Sequence, residues 1–491
     1  MQKNWTMETV EQVIAAGPYS DNWSSLSTHP VPLWFRKGKL GIFIHWGIYS
    51  VPAFGNEWYA RNMYDPNQRE FAHHLQTYGK HDQFGYKDFI PDFRAERFDA
   101  NALVTFFREC GARYVLPVAE HHDGFAMYDT VFNRYNAAKM GPCRDVVGEL
   151  KQACEAEGLT FCASTHRAEH YFFMNMGRTF DSDVNDPAYA DFYGPAVYAP
   201  EFGSEQMGAT TESPYGTGPD DAWMTDWLLR TCELIDKYQP QALYFDWWVQ
   251  NRAFKPYVKK LAAYYYNRAA QWGKEVTVQY KHHAFAPGVG VFDVERGALT
   301  EISPLPWQTC TAIGKESWGY RADNTYNSAR QVLCDLIDIV SKNGSLLLNV
   351  GPRSDGTLTP EETAVLQEMG AWLQVNGEGI YDTIPWRRFG EGKVNAKEGA
   401  FQDGDEKAFT AEDLRFTYQA GALYAFQLRP DGNRVCIRSL AKVQFRDLTV
   451  ATVELLGHGP VDWQADETGM YLSVPEGVDT TLPSCFKITM D

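Results

Sequence analysis

Through roughly the first 385 residues, short runs that are apolar from end to end alternate with longer stretches whose apolar residues recur at helical spacing. A strand apolar on both faces must be covered on both, and a parallel sheet flanked by helices does this. Seven such runs stand out: LGIFIHWG from Leu40, YVLPVAEHHDG from Tyr114, TFCASTH from Thr160, ALYFDWW from Ala242, VTVQYK from Val276, VFDVER from Val291 and SLLLNVGP from Ser345. Between them, FDANALVTFFRECGA offers Asp99 as a helix N-cap and Gly111 as its stop. The segment ending in Pro240 places Met224, Leu228, Cys232, Ile235 and Tyr238 on one helical face, and VLCDLIDIVSKNG should close on Gly344. Repeated β–α units of this length predict an α/β fold, a (β/α)8-like TIM barrel over residues 1–385.

Beyond about residue 390 the pattern changes. LRFTYQAGALYAFQLRP, RVCIRSL, LTVATVELLG, MYLSVP and FKITM are short alternating or apolar runs separated by Gly, Asp and Pro. They predict a C-terminal antiparallel β-sandwich over 386–491, with a structural or sugar-contacting role. The stretch from Tyr171 to Pro219 has little periodicity, and a loop of that size reads as a barrel insertion bordering the site.

Polar residues gather where the apolar runs end: His45, His121, His122, His166, Asp246, Lys281 and Glu295. That rim is where such barrels build active sites. Asp246 follows four apolar residues, and a carboxylate there is costly unless it is paired. Glu295 is a second strand-end carboxylate, with a surface ion pair to Arg296 as the competing reading. Glycosidic cleavage needs such a pair, one to attack the anomeric carbon and one to protonate the leaving oxygen. The histidines suit hydroxyl recognition; no HxH or HExxH spacing supports a metal, and neighbouring residues on a strand point to opposite sides. Glu57 and Trp58 pair a carboxylate with a stacking indole. NVGPRSDG, from Asn349, lacks the phosphate-loop pattern and reads as a β-to-α turn.

A formal net charge of −18 disfavours nucleic acid and anionic membranes as partners. No run approaches the ~18 apolar residues of a membrane span. The nine cysteines show no CxxC spacing and mostly sit in apolar stretches, which predicts buried thiols and leans towards a cytoplasmic setting. The N-terminus lacks a signal-peptide core, with periplasmic or secreted placement after signal removal as the alternative. Aromatic residues make up 14%, many beside His or carboxylates, as in sites where a pyranose stacks on a ring.

GIFIHWGIYSVPAFGNEWYARNMY, EHHDGFAMYDT, GPCRDVVGEL, YFDWW, the stretch from PWQT to SWGY, and DIVSKNGSLLLNVGPRSDGTL occur here in one order. From about Trp34 to Thr383 the chain resembles the α-L-fucosidases of glycoside hydrolase family 29. The resemblance implies a retaining exo-fucosidase that needs no cofactor and acts on fucosylated glycans. Asp246 matches the family nucleophile. His45, Glu57, Trp58, His121 and His122 match residues that hold the fucose hydroxyls, and Phe43 and Trp318 the patch that receives the C5 methyl. Glu295 stands where some members carry the acid/base, with Glu301 as the alternative. The chain departs from the family at Lys281, where some members have Arg, and at His166, where an aromatic residue is common.

Overall fold

The structure is a computed structural model that describes residues 5–197, 218–402, 407–442 and 449–490. Its first sheet is built from β1 (Leu40–Ile44), β2 (Tyr114–Glu120), β3 (Thr160–Phe161), β4 (Ala163–Thr165), β5 (Ala242–Phe245), β6 (Thr277–Tyr280), β7 (Val291–Asp293), β8 (Trp307–Ala312) and β9 (Gly344–Val350). All pairings are parallel, and β1 bonds to both β9 and β2, which closes the sheet into a barrel. Because β3 and β4 form one strand interrupted at Cys162, eight staves surround the axis.

The period-2 rule sorts the strand residues. Phe43, Leu116, Tyr244, Cys310 and Leu347 form a cluster inside the barrel. Their neighbours Ile42, Val115, Leu243, Phe245, Leu346 and Leu348 join the larger core with helical residues such as Leu228 and Ile235. The helix Ala100–Glu109 starts on Asp99, whose side chain accepts from the Ala102 N–H, and Gly111 turns the chain at φ 96°. On helix Asp221–Tyr238 the predicted face is buried.

One stave lies outside the predicted runs, and one local expectation fails. The strand β8 has no continuous apolar run, because Gln308 lies inside the barrel. Its amide donates to Asp293 at 2.7 Å and accepts from Tyr114 and Gln279 at 3.1 and 3.0 Å. A satisfied polar network thus replaces apolar filling below the site. Gly344 does not close its helix. The helix ends at Ser341, Asn343 takes the left-handed turn at φ 73°, and Gly344 opens β9. A side chain at Gly344 would run into Trp307 and Ile339, so close approach is what demands glycine there.

The second unit has a sheet in the order β10 (Ile384–Glu391), β11 (Leu414–Gln419), β12 (Ala422–Gln427), β18 (Ser484–Met490), β14 (Val450–Leu455), β15 (Gly459–Pro460). A smaller sheet pairs β13 (Arg434–Ile437), β17 (Met470–Ser473) and β16 (Trp463–Ala465). Both are antiparallel and enclose Leu414, Phe416, Leu423, Val435, Leu472 and Phe486. On β12, Tyr424 and Phe426 face the other way and join the barrel's core, where Trp372 donates to the Pro483 carbonyl at 2.7 Å. The sandwich is therefore docked through apolar packing rather than tethered.

Of the predicted insertion over Tyr171–Pro219, residues 198–217 lie outside the described residues. The part before them is a chain of short 3-10 turns and one brief helix, Ala190–Tyr193. Among the described residues no helix is long and apolar enough to cross a membrane. The nine cysteines carry free thiols, seven of them buried.

Candidate active site

A cavity of about 490 Å³ opens at the C-terminal ends of the barrel strands, within the usual size of a small-ligand site. All eleven residues singled out from the sequence line it. Strand geometry explains why: His45 follows β1, His121 and His122 follow β2, His166 follows β4, Asp246 follows β5, Lys281 follows β6 and Glu295 stands two residues past β7. Glu57, Trp58 and Trp318 reach in from loops, while Glu301 is exposed and is not among the lining residues.

The arrangement centres on Asp246. Its Oδ1 accepts from the Lys281 ammonium at 2.6 Å and from the Trp247 N–H at 2.8 Å. Its Oδ2 faces His166 Nδ1 at 2.9 Å and His122 Nε2 at 3.3 Å. Lys281 also reaches Glu295 Oε2 at 2.7 Å, so one buried cation joins both carboxylates. His121 and His122 do not point to opposite sides. Their rings meet at 4.3 Å, because β2 ends at Glu120 and the pleat no longer governs them.

His45 Nδ1 lies 2.6 Å from the Asn349 side-chain oxygen, and the Asn349 amide donates to the Trp318 carbonyl at 2.7 Å. This pairing suits a proton on Nδ1 and leaves Nε2 as an acceptor. Glu57 is only partly open to a ligand, since its Oε2 accepts from Ser317 Oγ at 3.0 Å and the Trp318 N–H at 2.9 Å. Phe43 and Trp318 meet edge to face at 6.3 Å and form the apolar wall. Two donor sets have ligand atoms within 4.8 Å of one another: His45, His121 and His166, and His122, His166 and Asp246. The first is chemically able to hold a soft divalent ion; the second already has the Lys281 charge against its carboxylate.

The model of the alpha-L-fucosidase family matches residues 6–378. The chain belongs to that family. It is a fucosidase, a glycoside hydrolase acting on fucosyl glycosides. It is similar to human tissue alpha-L-fucosidase, 26% identical over 491 residues that cover 98% of this chain and 93% of the human one. The rat plasma alpha-L-fucosidase is 29% identical, over 97% of this chain and 93% of its own. A Thermotoga maritima alpha-fucosidase in complex with fucose superimposes with a TM-score of 0.73 at 27% identity, covering 96% of this chain and 100% of that one.

The electrostatics of this cavity divide its two carboxyls. Burial alone would raise Asp246; Lys281, then His166 and the contact from His122, outweigh it and hold the carboxyl well below its usual range. Burial pushes the Glu295 carboxyl up to about 7, with Lys281 opposing and the charge on Asp246 adding to the rise. Burial would also lower His122, but Glu169 and Asp246 raise it to about 10. Burial dominates for His166, lowered to about 4, and holds His45 and His121 below the ordinary range.

Several partners had no sequence signal. Glu169, fully buried in a 3-10 turn, lies 2.8 Å from His122 Nδ1. Trp247 stacks parallel to Trp58 with centroids 6.3 Å apart, and Asn56, Tyr244, His282, Cys310 and Phe401 complete the lining. The YFDWW string contains Trp247, but nothing in it tells which of its two indoles turns inward.

Proposed function

We propose that the enzyme removes terminal α-L-fucose from fucosylated glycans with retention, by double displacement through a fucosyl-enzyme. The observation carrying this is the shared ammonium. Asp246 and Glu295 each place an oxygen within 2.6 and 2.7 Å of Lys281 Nζ, so those oxygens lie within about 5.3 Å of each other. An ammonium shared in this way keeps the two carboxyls close-set, which favours the retaining arrangement, about 5–5.5 Å between carboxyl groups, over the inverting one, about 6.5–9.5 Å with room for a water.

In the first step an Asp246 oxygen attacks the anomeric carbon as the bond to the leaving oxygen breaks. Glu295, protonated below about pH 7, gives that oxygen its proton. In the second step Glu295, now a carboxylate, takes a proton from water, which attacks the same carbon and releases Asp246. Opposite environments for the two carboxyls allow both roles at one pH. His122 and His166 act on Asp246 rather than on sugar hydroxyls: both fix its orientation, and the protonated His122 balances its charge while His166 stays neutral. His45, His121 and Glu57 remain for the hydroxyls, with Trp58 beside them. The dry wall of Phe43 and Trp318 receives the C5 methyl. Such a wall alone rejects an added hydroxyl only modestly, so hydroxyl geometry must supply the rest.

Proton NMR of the first product tests the assignment. An aryl α-L-fucoside should yield α-L-fucose first, with the β anomer appearing only through mutarotation. Initial release of β-L-fucose would overturn the reading.

A further inference from the structure

The strap over residues 395–402, which belongs to the C-terminal unit in sequence, runs along the loop that carries Glu295. The Asn395 amide donates to the Thr300 carbonyl at 3.1 Å, and the Gly399 N–H to the Ala298 carbonyl at 3.2 Å. The Phe401 N–H then donates to the carbonyl of Glu295 itself at 2.9 Å, and the Gln402 N–H to that of Arg296 at 2.7 Å. The two backbones come so close that a side chain at Gly297 would overlap the Gly399 carbonyl. From the other side, the Val294 and Arg296 N–H groups bond to Gln308 and Cys310 of β8, both at 2.8 Å. The proposed acid is thus clamped between the barrel and this strap.

At the end of the strap Phe401 lines the catalytic cavity while 65% exposed. Single exposed apolar residues are ordinary on protein surfaces. This one also has φ 56°, a left-handed backbone that crowds a bulky residue's Cβ against the following carbonyl. An uncovered ring, a strained backbone and a fixed position beside the acid fall on one residue, and strain of this kind collects where a ligand is held.

We propose that Phe401 is the platform of the leaving-group subsite and stacks on the face of the hexopyranose to which fucose is attached. The placement follows from the chemistry. A leaving oxygen within proton-transfer reach of Glu295, about 2.6–3.2 Å, has its other ring one bond further out on the Glu295 side of the cavity. Phe401 is bonded there, with its ring free for the apolar C–H face of a pyranose. The preferred substrates are therefore fucosides whose leaving group is a pyranose rather than an acyclic alcohol. This rests on the assignment of Glu295 as acid/base.

The test compares a fucosyl disaccharide with α-L-fucosyl fluoride, whose leaving group has no ring and needs no acid. In Phe401→Ala the ratio of kcat/KM for the disaccharide to that for the fluoride should fall about tenfold or more. Phe401→Trp should bring it back to within about threefold of the parent. An equal change on both substrates, an unchanged ratio, or no recovery in the Trp variant would overturn the proposal. Failure of the underlying reading shows elsewhere: Glu295→Ala would then change kcat/KM for disaccharide and fluoride by the same factor, whatever the Phe401 variants do, whereas loss of the acid lowers kcat/KM for the disaccharide far more.

Discussion

Two buried charge clusters in this chain use the same residue types in opposite proportion. At the mouth of the barrel one cation, Lys281, serves two carboxylates, Asp246 and Glu295. Between barrel and sandwich one carboxylate, Asp338, serves two cations, Arg415 of β11 at 2.5 Å and Lys342 at 2.8 Å. Burial would raise Asp338, but Arg415 and Lys342 hold it well below the usual range, so it stays charged. In the barrel the second carboxyl lacks a counter-charge of its own and keeps its proton up to about pH 7. A carboxylate with surplus cations makes a fixed joint, while a cation with surplus carboxylates leaves one proton available for chemistry.

Substitutions should separate the clusters by what they destroy. The largest effect belongs to Asp246→Ala, which should cut turnover of an aryl α-L-fucoside by a factor on the order of 10⁴. External azide should partly restore it and yield β-fucosyl azide, because the vacated face admits a small nucleophile; near-normal activity without azide would break the comparison. Glu295→Ala should cost about 10²–10³-fold in kcat/KM on substrates with poor leaving groups and far less on activated ones, while kcat falls on both because the second step loses its base. The parent's kcat/KM should fall as pH rises through about 7, where the acid loses its proton. In this variant, assayed on an activated fucoside, that alkaline limb should vanish; its persistence would assign the acid elsewhere. Asp338→Ala should act on stability alone. It strands two buried cations and should cost about 3–5 kcal/mol in a urea melt, with kcat kept wherever the protein stays folded.

Sequence reading succeeded where a residue's position on its strand decides its neighbours. The continuously apolar runs gave seven of the barrel staves, and the polar residues ending them converge on one cavity. The eighth, β8, was hidden because Gln308 and the threonines read as surface residues, although the barrel interior satisfies them. Likewise β10 mixes exposed and half-buried positions and carries no clean alternation. Past the strand ends the period-2 rule lapses, which is why the His121 and His122 rings meet instead of pointing to opposite sides. Glu169 and Phe401 were out of reach for a different reason. One is placed by a 3-10 turn and the other by a strap more than 100 residues beyond Glu295, and neither leaves a local pattern.

The most direct measurement is covalent trapping. A 2-deoxy-2-fluoro-α-L-fucosyl fluoride slows both steps, the second more, so the fucosyl-enzyme should accumulate. Peptide mass mapping should then find the 2-fluorofucosyl group esterified to Asp246, at one equivalent per chain and with matching loss of activity. A label on Glu295, or rapid turnover with no label on the chain, would contradict the account.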